Sequence, residues 1–310
     1  MAITVVGSVA LDTIETPFGG ADNVLGGAAS HFTMAASLYD TVNLVAVIGT
    51  DFPQPYLDYF EARRVDRRGL QTVEGQTFRW GGRYHLDMNT RDTLFTELGV
   101  FAGFAPTLPD DYQQAHVTFL ANIQPQLQHG VLRQARAGGA SLCALDTMNL
   151  WIETAHDDLI DVMRGVDVML IAEEEARQIA NTASLRAAAR FILDLGPQMV
   201  IVKQGSYGAL LYGSDGTFFA APAYPLAEVR DPTGAGDAFA GGFLGYLARQ
   251  RATTGTLTPL DYKRGLIHGN ILGSFACEDF SVERLRTLTP DDIAARYREF
   301  VGFTHFEGTS

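Results

Sequence analysis

Six short apolar runs, rich in β-branched residues, recur along the chain and constrain its fold more than any other feature. They lie at residues 3–6, 44–48, 117–120, 142–145, 166–171 and 199–202. Because apolar residues mostly follow one another in these runs, the runs predict strands that are buried on both faces. Helical patterns separate them, at residues 28–38, 56–64, 126–137, 155–164 and 185–195. This alternation predicts an α/β fold with a doubly wound, mostly parallel sheet flanked by helices.

The stretch from residue 71 to residue 98 breaks this rhythm. Apolar and polar residues alternate there, as in Arg83-Tyr84-His85-Leu86, and glycines lie between the alternating segments. Alternation of this kind predicts a small β-rich unit outside the main sheet. The last third of the chain predicts short strands at 209–212 and 217–220, helices from about residue 234, and a loop at 252–258.

Charge and cysteine content restrict the partners of the protein. The chain has 310 residues, and its 23 Lys and Arg against 36 Asp and Glu give a formal net charge of −13. Such a field repels phosphate polymers and acidic membranes, so we expect no nucleic-acid partner and no membrane partner. Cys143 and Cys277 lack the paired spacing of disulfide or zinc frameworks. No apolar run approaches the roughly 18 residues of a membrane span, and we expect a cytoplasmic protein.

The segment from Asp231 to Phe243 carries the clearest chemical signal. Its first half is loop-like, and Gly234-Ala235-Gly236 opens a helix, where unpaired backbone N–H groups and the helix dipole favour an anion. Asp237 lies in the first helical turn, where it could accept a proton from a hydroxyl. An anion site beside a base indicates phosphoryl transfer, although an isolated first-turn acid is more often only a partner of the helix dipole.

The motif resembles a signature of the ribokinase-like (PfkB) family of carbohydrate and nucleoside kinases, Asp-Thr-x-Gly-Ala-Gly-Asp, with Pro232 at the first Thr position. Residues 7–12 and 26–31 resemble the early family motifs, so the resemblance extends from residue 5 to about residue 285. It implies a ribokinase-like fold and an ATP- and Mg²⁺-dependent kinase. Asp237 would be the base, and the amides of Gly234, Ala235 and Gly236 would form the anion hole.

The same resemblance assigns an acceptor side. Asp12 would bind acceptor hydroxyls, and Gly26 and Gly27 would let the acceptor approach the backbone, next to N–H donors of the helix that begins there. His31 stands where the family commonly has Asn. Asn122 follows a predicted strand, at the sheet edge where acceptor-binding polar groups belong.

The nucleotide side and the metal ions are assigned in the same way. The resemblance implies nucleotide contacts at Lys203, Gly205, Gly208, Thr233 and Asn270. Glu175 matches the Glu of an Asn-x-x-Glu motif that acts on Mg²⁺ through water, and Ala172 replaces the Asn. Many relatives bind K⁺ through carbonyls at the positions of Asp231 and Thr233.

Family members close a lid over the acceptor, and this implies a division of the chain. The lid would comprise residues 12–25 and 71–98, and the α/β core residues 1–11, 26–70 and 99–310. Closure would exclude water and prevent ATP hydrolysis. Lids in the family often pair, so we expect a homodimer.

The acceptor is left open between two classes, and a non-catalytic role is a third reading. A sugar or sugar-like acceptor would use Asp12, Asn122 and lid arginines, and we favour it because no purine-specific motif is present. A nucleoside would need a stacking surface, for which the candidates are Phe18, Phe78, Trp80, Tyr84 and Phe101. The replacements at His31 and Ala172 motivate the third reading, a catalytically weak metabolite-binding regulator.

Overall fold

The computed structural model describes residues 2–305. Its strands are β1 (Ala2–Val6), β2 (Ala10–Thr16), β3 (Gly19–Gly26), β4 (Thr41–Gly49), β5 (Asp66–Val73), β6 (Phe78–Tyr84), β7 (Arg91–Glu97), β8 (Val117–Leu120), β9 (Leu142–Leu145), β10 (Val168–Ala172), β11 (Met199–Lys203), β12 (Ala209–Gly213) and β13 (Phe218–Ala221). Its α-helices are α1 (Ala28–Ala36), α2 (Gln54–Ala62), α3 (Asp110–Gln113), α4 (Pro125–Gly138), α5 (Asn149–Thr154), α6 (His156–Gly165), α7 (Glu173–Ile179), α8 (Leu185–Leu195), α9 (Ala235–Thr254), α10 (Pro259–Ala276), α11 (Glu283–Thr287) and α12 (Pro290–Thr304).

A nine-stranded sheet forms the core, in the order β13-β12-β11-β10-β9-β8-β1-β4-β5. Neighbours from β5 to β11 pair in parallel, and β12 and β13 add an antiparallel edge. All six apolar runs are strands of this sheet. The predicted α/β fold, with a mostly parallel sheet flanked by helices, is confirmed.

Two apolar clusters, one on each face, explain why the strands read as continuous apolar runs. Along β4, Leu44, Ala46 and Ile48 belong to one cluster, and Val45 and Val47 belong to the other. Successive side chains point to opposite faces of a strand, so a strand covered on both sides needs apolar residues at consecutive positions. Helices α1, α9 and α10 cover the first face, and α4, α6 and α8 the second.

The predicted β-rich unit is a separate four-stranded sheet in the order β3-β2-β6-β7. Its two hairpins are joined by parallel pairing of β2 with β6. The boundary expected at residue 71 differs from the structure, because residues 71–73 belong to β5 and pair with β4 in the large sheet. β5 is an edge strand with several exposed polar residues, so it lacks the apolar run that marks the inner strands.

Helix α9 is packed between α1 and α10 at backbone contact distance. A Cβ atom on Gly241 would lie 2.6 Å from the Phe32 carbonyl oxygen of α1, and one on Gly242 would lie 2.5 Å from the His268 carbonyl oxygen of α10. The small residues that follow the Gly-Ala-Gly-Asp motif therefore serve helix packing. α9 continues to Thr254, which includes the first three residues of the predicted loop, and its C-cap is Gly255.

Among residues 2–305, no helix combines the length and the apolar character needed to cross a membrane.

Replacing Phe119 tests the core. Its ring is fully buried on β8 and stacks on Phe32 with the ring centroids 4.4 Å apart. We expect Phe119→Ala to lower the free energy of unfolding by about 3–5 kcal/mol, because it leaves a cavity under α1. Phe18→Ala is the control, and since Phe18 is 54% exposed its effect should stay near 0.5 kcal/mol. Equal shifts of the two variants in urea unfolding would contradict the assigned core.

Candidate active site

Three charged side chains lie at the carboxyl ends of the neighbouring strands β9, β10 and β11. Asp146 directly follows β9, Glu175 lies in the first turn after β10, and Lys203 ends β11. Asp146 Oδ2 and Lys203 Nζ form an ion pair at 2.6 Å. A Cβ atom on Gly236 would lie 3.3 Å from Lys203 Nζ, so the N-terminus of α9 meets this sheet edge. In open α/β sheets this edge is the place where ligands bind.

The entry into α9 requires glycine. Gly234 is the N-cap with φ +72°, and a Cβ atom there would overlap the ring of His31. The first intrahelical bond runs from Ala238 N–H to Gly234 O at 2.8 Å. The amides of Gly234 and Gly236 have no hydrogen-bond acceptor among the described residues and can bind an anion, whereas the Asp237 N–H donates to its own carboxylate. The Ala235 amide donates to Pro232 O at 3.2 Å, so this member of the expected anion hole is already engaged.

Asp237 has the electrostatics of a base near neutral pH. The pKa of Asp237 is raised to about 7. Burial is the largest cause and the nearby Asp146 carboxylate adds to it, whereas Lys203 and Arg91 act in the opposite direction. A catalytic base transfers protons best when its pKa lies near the working pH. The position and the pKa of Asp237 both suit proton transfer from a hydroxyl.

Asp12 is buried in a pocket that the two glycines shape. A Cβ atom on Gly26 would overlap the Asp12 carboxylate, and the Gly27 N–H donates to it. The pKa of Asp12 is raised to about 8, first by burial and then by repulsion from Asp231 and Asp237. Asp12 and Asp237 therefore belong to one electrostatic site.

The N-terminus of α1 differs from the expectation that it would offer N–H donors to the acceptor. Ala28 N–H donates to Ser8 Oγ at 3.1 Å, and Ala29 N–H donates to Ser8 O at 3.0 Å. Ser8, which precedes the helix by twenty residues, therefore caps α1 across space. Gly26 leaves room for the Asp12 carboxylate, and the Gly27 N–H donates to that carboxylate.

His31 lies between α1 and the entry of α9. It is 1% exposed, and neither ring nitrogen has a hydrogen-bond partner among the described residues. Burial lowers the pKa of His31 to about 4, so the ring is neutral at physiological pH. Its face against Gly234 makes it part of the wall of the site.

Three of the expected nucleotide-binding residues lie in, or contact, the loops that follow β11 and β13. Gly205 and Gly208 have φ +54° and +102°, and Gly208 lies against the Ala221 carbonyl. Asn270 Nδ2 donates to Pro222 O at 3.1 Å, which ties α10 to the second loop.

Asn122 contacts the segment that follows β9. Its Oδ1 accepts from Trp151 Nε1 at 2.8 Å, and its Nδ2 lies 3.1 Å from Met148 Sδ. These contacts join the end of β8 to the segment that follows β9, so Asn122 shapes the sheet edge.

Asp231 connects the α9 entry with the loop after α10. Its two carboxylate oxygens accept from Thr233 N–H at 2.8 Å and from Ser281 N–H at 2.9 Å. Burial raises the pKa of Asp231. Glu175 accepts from Ala172 N–H at 2.9 Å, and burial raises the pKa of Glu175 to about 7.

The β6–β7 hairpin of the small sheet reaches this site. Thr233 Oγ1 donates to Tyr84 Oη at 3.1 Å, and Gly205 lies against Asn89. The Arg91 guanidinium lies 5.8 Å from the ring centroid of Trp80. The hairpin therefore contacts both the anion-site loop and the loop after β11.

Sequence reasoning missed Asp146. It stands alone in Leu142-Cys143-Ala144-Leu145-Asp146, without a glycine or a second acid to mark a motif. Its position directly after a buried strand was the available signal, because that position lies at the ligand edge of a parallel sheet.

Free amides, a lysine and a carboxylate base within one neighbourhood are the parts that phosphoryl transfer to an alcohol requires, so fold and site define an α/β kinase. The family model described as "pfkB family carbohydrate kinase" matches residues 5–283. The chain belongs to this family, and it is a phosphotransferase with an alcohol group as acceptor.

Named relatives agree with this assignment. The chain is 32% identical over 252 residues to a cytidine kinase of Thermococcus kodakarensis. The matched region covers 80% of this chain and 89% of that protein. It is 28% identical over 234 residues to a 2-dehydro-3-deoxygluconokinase of Thermoproteus tenax, covering 70% and 71% of the two chains. An Escherichia coli protein described as ribokinase II, solved with ATP and Mg²⁺, has the same fold, with a TM-score of 0.78, 19% identity and 96% and 99% coverage.

A pair of glycines on α9 tests the entry geometry. Gly234 and Gly255 flank the helix with similar φ values of +72° and +78°, but only Gly234 has a neighbour in the way of a Cβ atom. We expect Gly255→Ala to cost about 1 kcal/mol of stability from backbone strain alone. Gly234→Ala should cost about 3 kcal/mol and reduce kinase activity at least tenfold, because His31 must move. Thermal unfolding and ADP release measure both, and equal behaviour of the variants would contradict the role of His31.

Proposed function

We propose that this kinase transfers the γ-phosphoryl group of ATP to a hydroxyl of a sugar or sugar-like acceptor, with Asp237 as the base. The observation that carries the proposal is the carboxylate of Asp237 in the first turn of α9, with a pKa raised to about 7, beside free amides and Lys203. An acid that only complemented a helix dipole would not need burial among other acids.

The residues divide the reaction between them. Asp12 orients the acceptor, and Asp237 takes the hydroxyl proton as the acceptor oxygen bonds to the γ-phosphorus. The bond from this phosphorus to the bridging oxygen breaks, and ADP leaves. The Gly234 and Gly236 amides and Lys203 stabilise the charge on the transferring group. The small sheet serves as a lid that excludes water, which its contacts from Tyr84 and Asn89 support.

Magnesium fits this site as a partner of the ATP phosphates. Residues 2–305 contain no group of three or more His, Cys, Asp or Glu side chains arranged to hold a metal. Mg²⁺ keeps several waters and binds substrate phosphates through few carboxylates, so Glu175 would hold it through water. The ion would neutralise phosphate charge.

Potassium would lie where Asp231 joins two loops. Each Asp231 carboxylate oxygen already accepts a backbone N–H, so backbone carbonyls of the loops at residues 231–233 and 277–281 would supply the ligands. This is the arrangement that a weakly hydrated monovalent cation needs.

A nucleoside is the acceptor that a specific observation favours within the proposed class. β2 and β6 pair with Asp12 opposite Trp80, so both side chains lie on one face of the small sheet. Gly82 lies directly under the Trp80 ring and leaves the ring flat along the strand. A ribose on Asp12 would place its base against Trp80. The similarity to a cytidine kinase supports the same choice.

We propose a cytoplasmic homodimer. The two free cysteines and the use of ATP support a cytoplasmic location. The small sheet has open edges at β3 and β7, and Phe18 is exposed next to β3, which supports pairing of two lids.

An acceptor panel with an Asp237 variant tests the kinase. We expect acceptor-dependent ADP release from ATP and Mg²⁺ with nucleosides or sugars. This activity should decrease as the pH is lowered through about 7, because Asp237 becomes protonated. Asp237→Asn should lower kcat at least about a hundredfold, because the base is lost. Asp157→Asn, which removes an exposed first-turn acid from α6, should leave kcat unchanged. Ligand-induced thermal stabilisation without ADP release would instead support a binding protein.

Trp80 tests the nucleoside acceptor. Trp80→Ala should raise KM for cytidine about tenfold through loss of stacking, and leave KM for ATP unchanged. Phe95→Ala is the control, because Phe95 packs on Gly81 on the opposite face of the same sheet. An unchanged KM for every nucleoside in Trp80→Ala would exclude stacking of a base on Trp80 and would favour a simple sugar as the acceptor.

A further inference from the structure

The ion pair between Asp146 and Lys203 is buried at the centre of the site. Their side chains are 5% and 18% exposed, and the charged atoms are 2.6 Å apart. Asp146 follows β9 and Lys203 ends β11, so the pair spans the intervening strand β10. A buried pair of this kind is weak evidence for stability, because desolvation offsets its attraction. Its position at the ligand edge of the sheet points to a functional reason.

Two hydrogen bonds fix the position of Asp146. Its Oδ1 accepts from Thr147 N–H at 2.9 Å, which leaves Oδ2 for Lys203. Gln128, fully buried on α4, donates from Nε2 to the Asp146 carbonyl oxygen at 3.0 Å. The carboxylate is therefore a rigid anchor.

Lys203 is the flexible member of the pair. Its four-carbon stem places Nζ beside Gly236, next to the anion site. Three acids surround the ammonium group, and these are Asp146, Glu175 and Asp237. Asp146 alone forms a direct ion pair with Lys203 among the described residues.

We propose that Asp146 is a positioning residue that holds the Lys203 ammonium group at the anion site and away from the carboxylate of Asp237. The inference rests on the proposed function, in which Asp237 is the base. Without the anchor, Lys203 would pair with Asp237, and a base held in an ion pair takes up a proton less readily. The anchor keeps the cation available to the transferring phosphoryl group.

The charges around Asp237 give the sign of the expected effect. Asp146 and Asp12 repel its carboxylate, and Lys203 and Arg91 attract it. Removing the Asp146 charge takes away a repulsion and frees Lys203 to approach, so both changes lower the pKa of Asp237. Removing the Lys203 charge has the opposite effect.

Two variants with opposite expected shifts test the inference. In Asp146→Asn we expect kcat to fall at least tenfold and the acid limb of the kcat profile to move down by about one pH unit. In Lys203→Met the limb should move up and KM for ATP should rise. Asp167→Asn is the matched control. It breaks another partly buried pair, between the residue that precedes β10 and Arg136 of α4 at 2.8 Å, and should leave the acid limb of the kcat profile in place.

A second measurement needs no acceptor. ¹³C NMR of Asp-labelled protein, with Asp237→Asn for assignment, reports the pKa of Asp237 directly in wild type and in each variant. An unchanged pKa in Asp146→Asn would overturn the inference, as would a fall in kcat with a fixed acid limb. If Asp146→Asn does not fold, Asp146→Glu decides. A carboxylate at this position keeps a partner for Lys203, so partial retention of kcat supports the inference, and a loss of kcat as large as that in Lys203→Met overturns it.

The outcomes separate the two proposals. A wild type that releases no ADP with any acceptor overturns the proposed function, and the inference falls with it. A wild type that turns over, with an Asp146→Asn variant of unchanged kcat and pH profile, overturns the inference alone.

Discussion

The burial of α9 between α1 and α10 is the constraint on which the rest of the site depends. Glycines at 241 and 242 let the helix approach both neighbours at backbone distance, and a helix packed this closely cannot tilt or slide without clashes. Its N-terminus is therefore held at the carboxyl edge of the large sheet. Gly234 meets His31 of α1 at this end, so His31 lies between the proposed acceptor side and the proposed anion site.

A concentration of buried acids is the second property of the site. Burial raises the pKa of Asp12, Glu175 and Asp237 to between about 7 and about 8. Such groups cost stability, and proteins keep them mainly where their chemistry is used. Lys203 offsets part of the repulsion on Glu175 and Asp237, and it forms its direct ion pair with Asp146.

Much of this arrangement was predictable from local patterns, and particular residues show where prediction stopped. The inner strands were found because burial on both faces leaves a continuous apolar run, whereas β5, an edge strand, has no such run. Gly234 and Asp237 were found because a helix entry has its own local signature. Asp146 and the cap that Ser8 provides to α1 were missed, because their partners are distant along the chain.

The sequence by itself determined the α/β class, the strands of the core and the motif that begins α9. These depend on the periodicity of burial and on backbone geometry, and both are encoded by residues close together in the chain. Only the tertiary structure decided that Lys203 pairs with Asp146, that the two early glycines enclose Asp12, and that Trp80 lies across from Asp12. Contacts of this kind depend on how strands are ordered and registered, which no local pattern specifies.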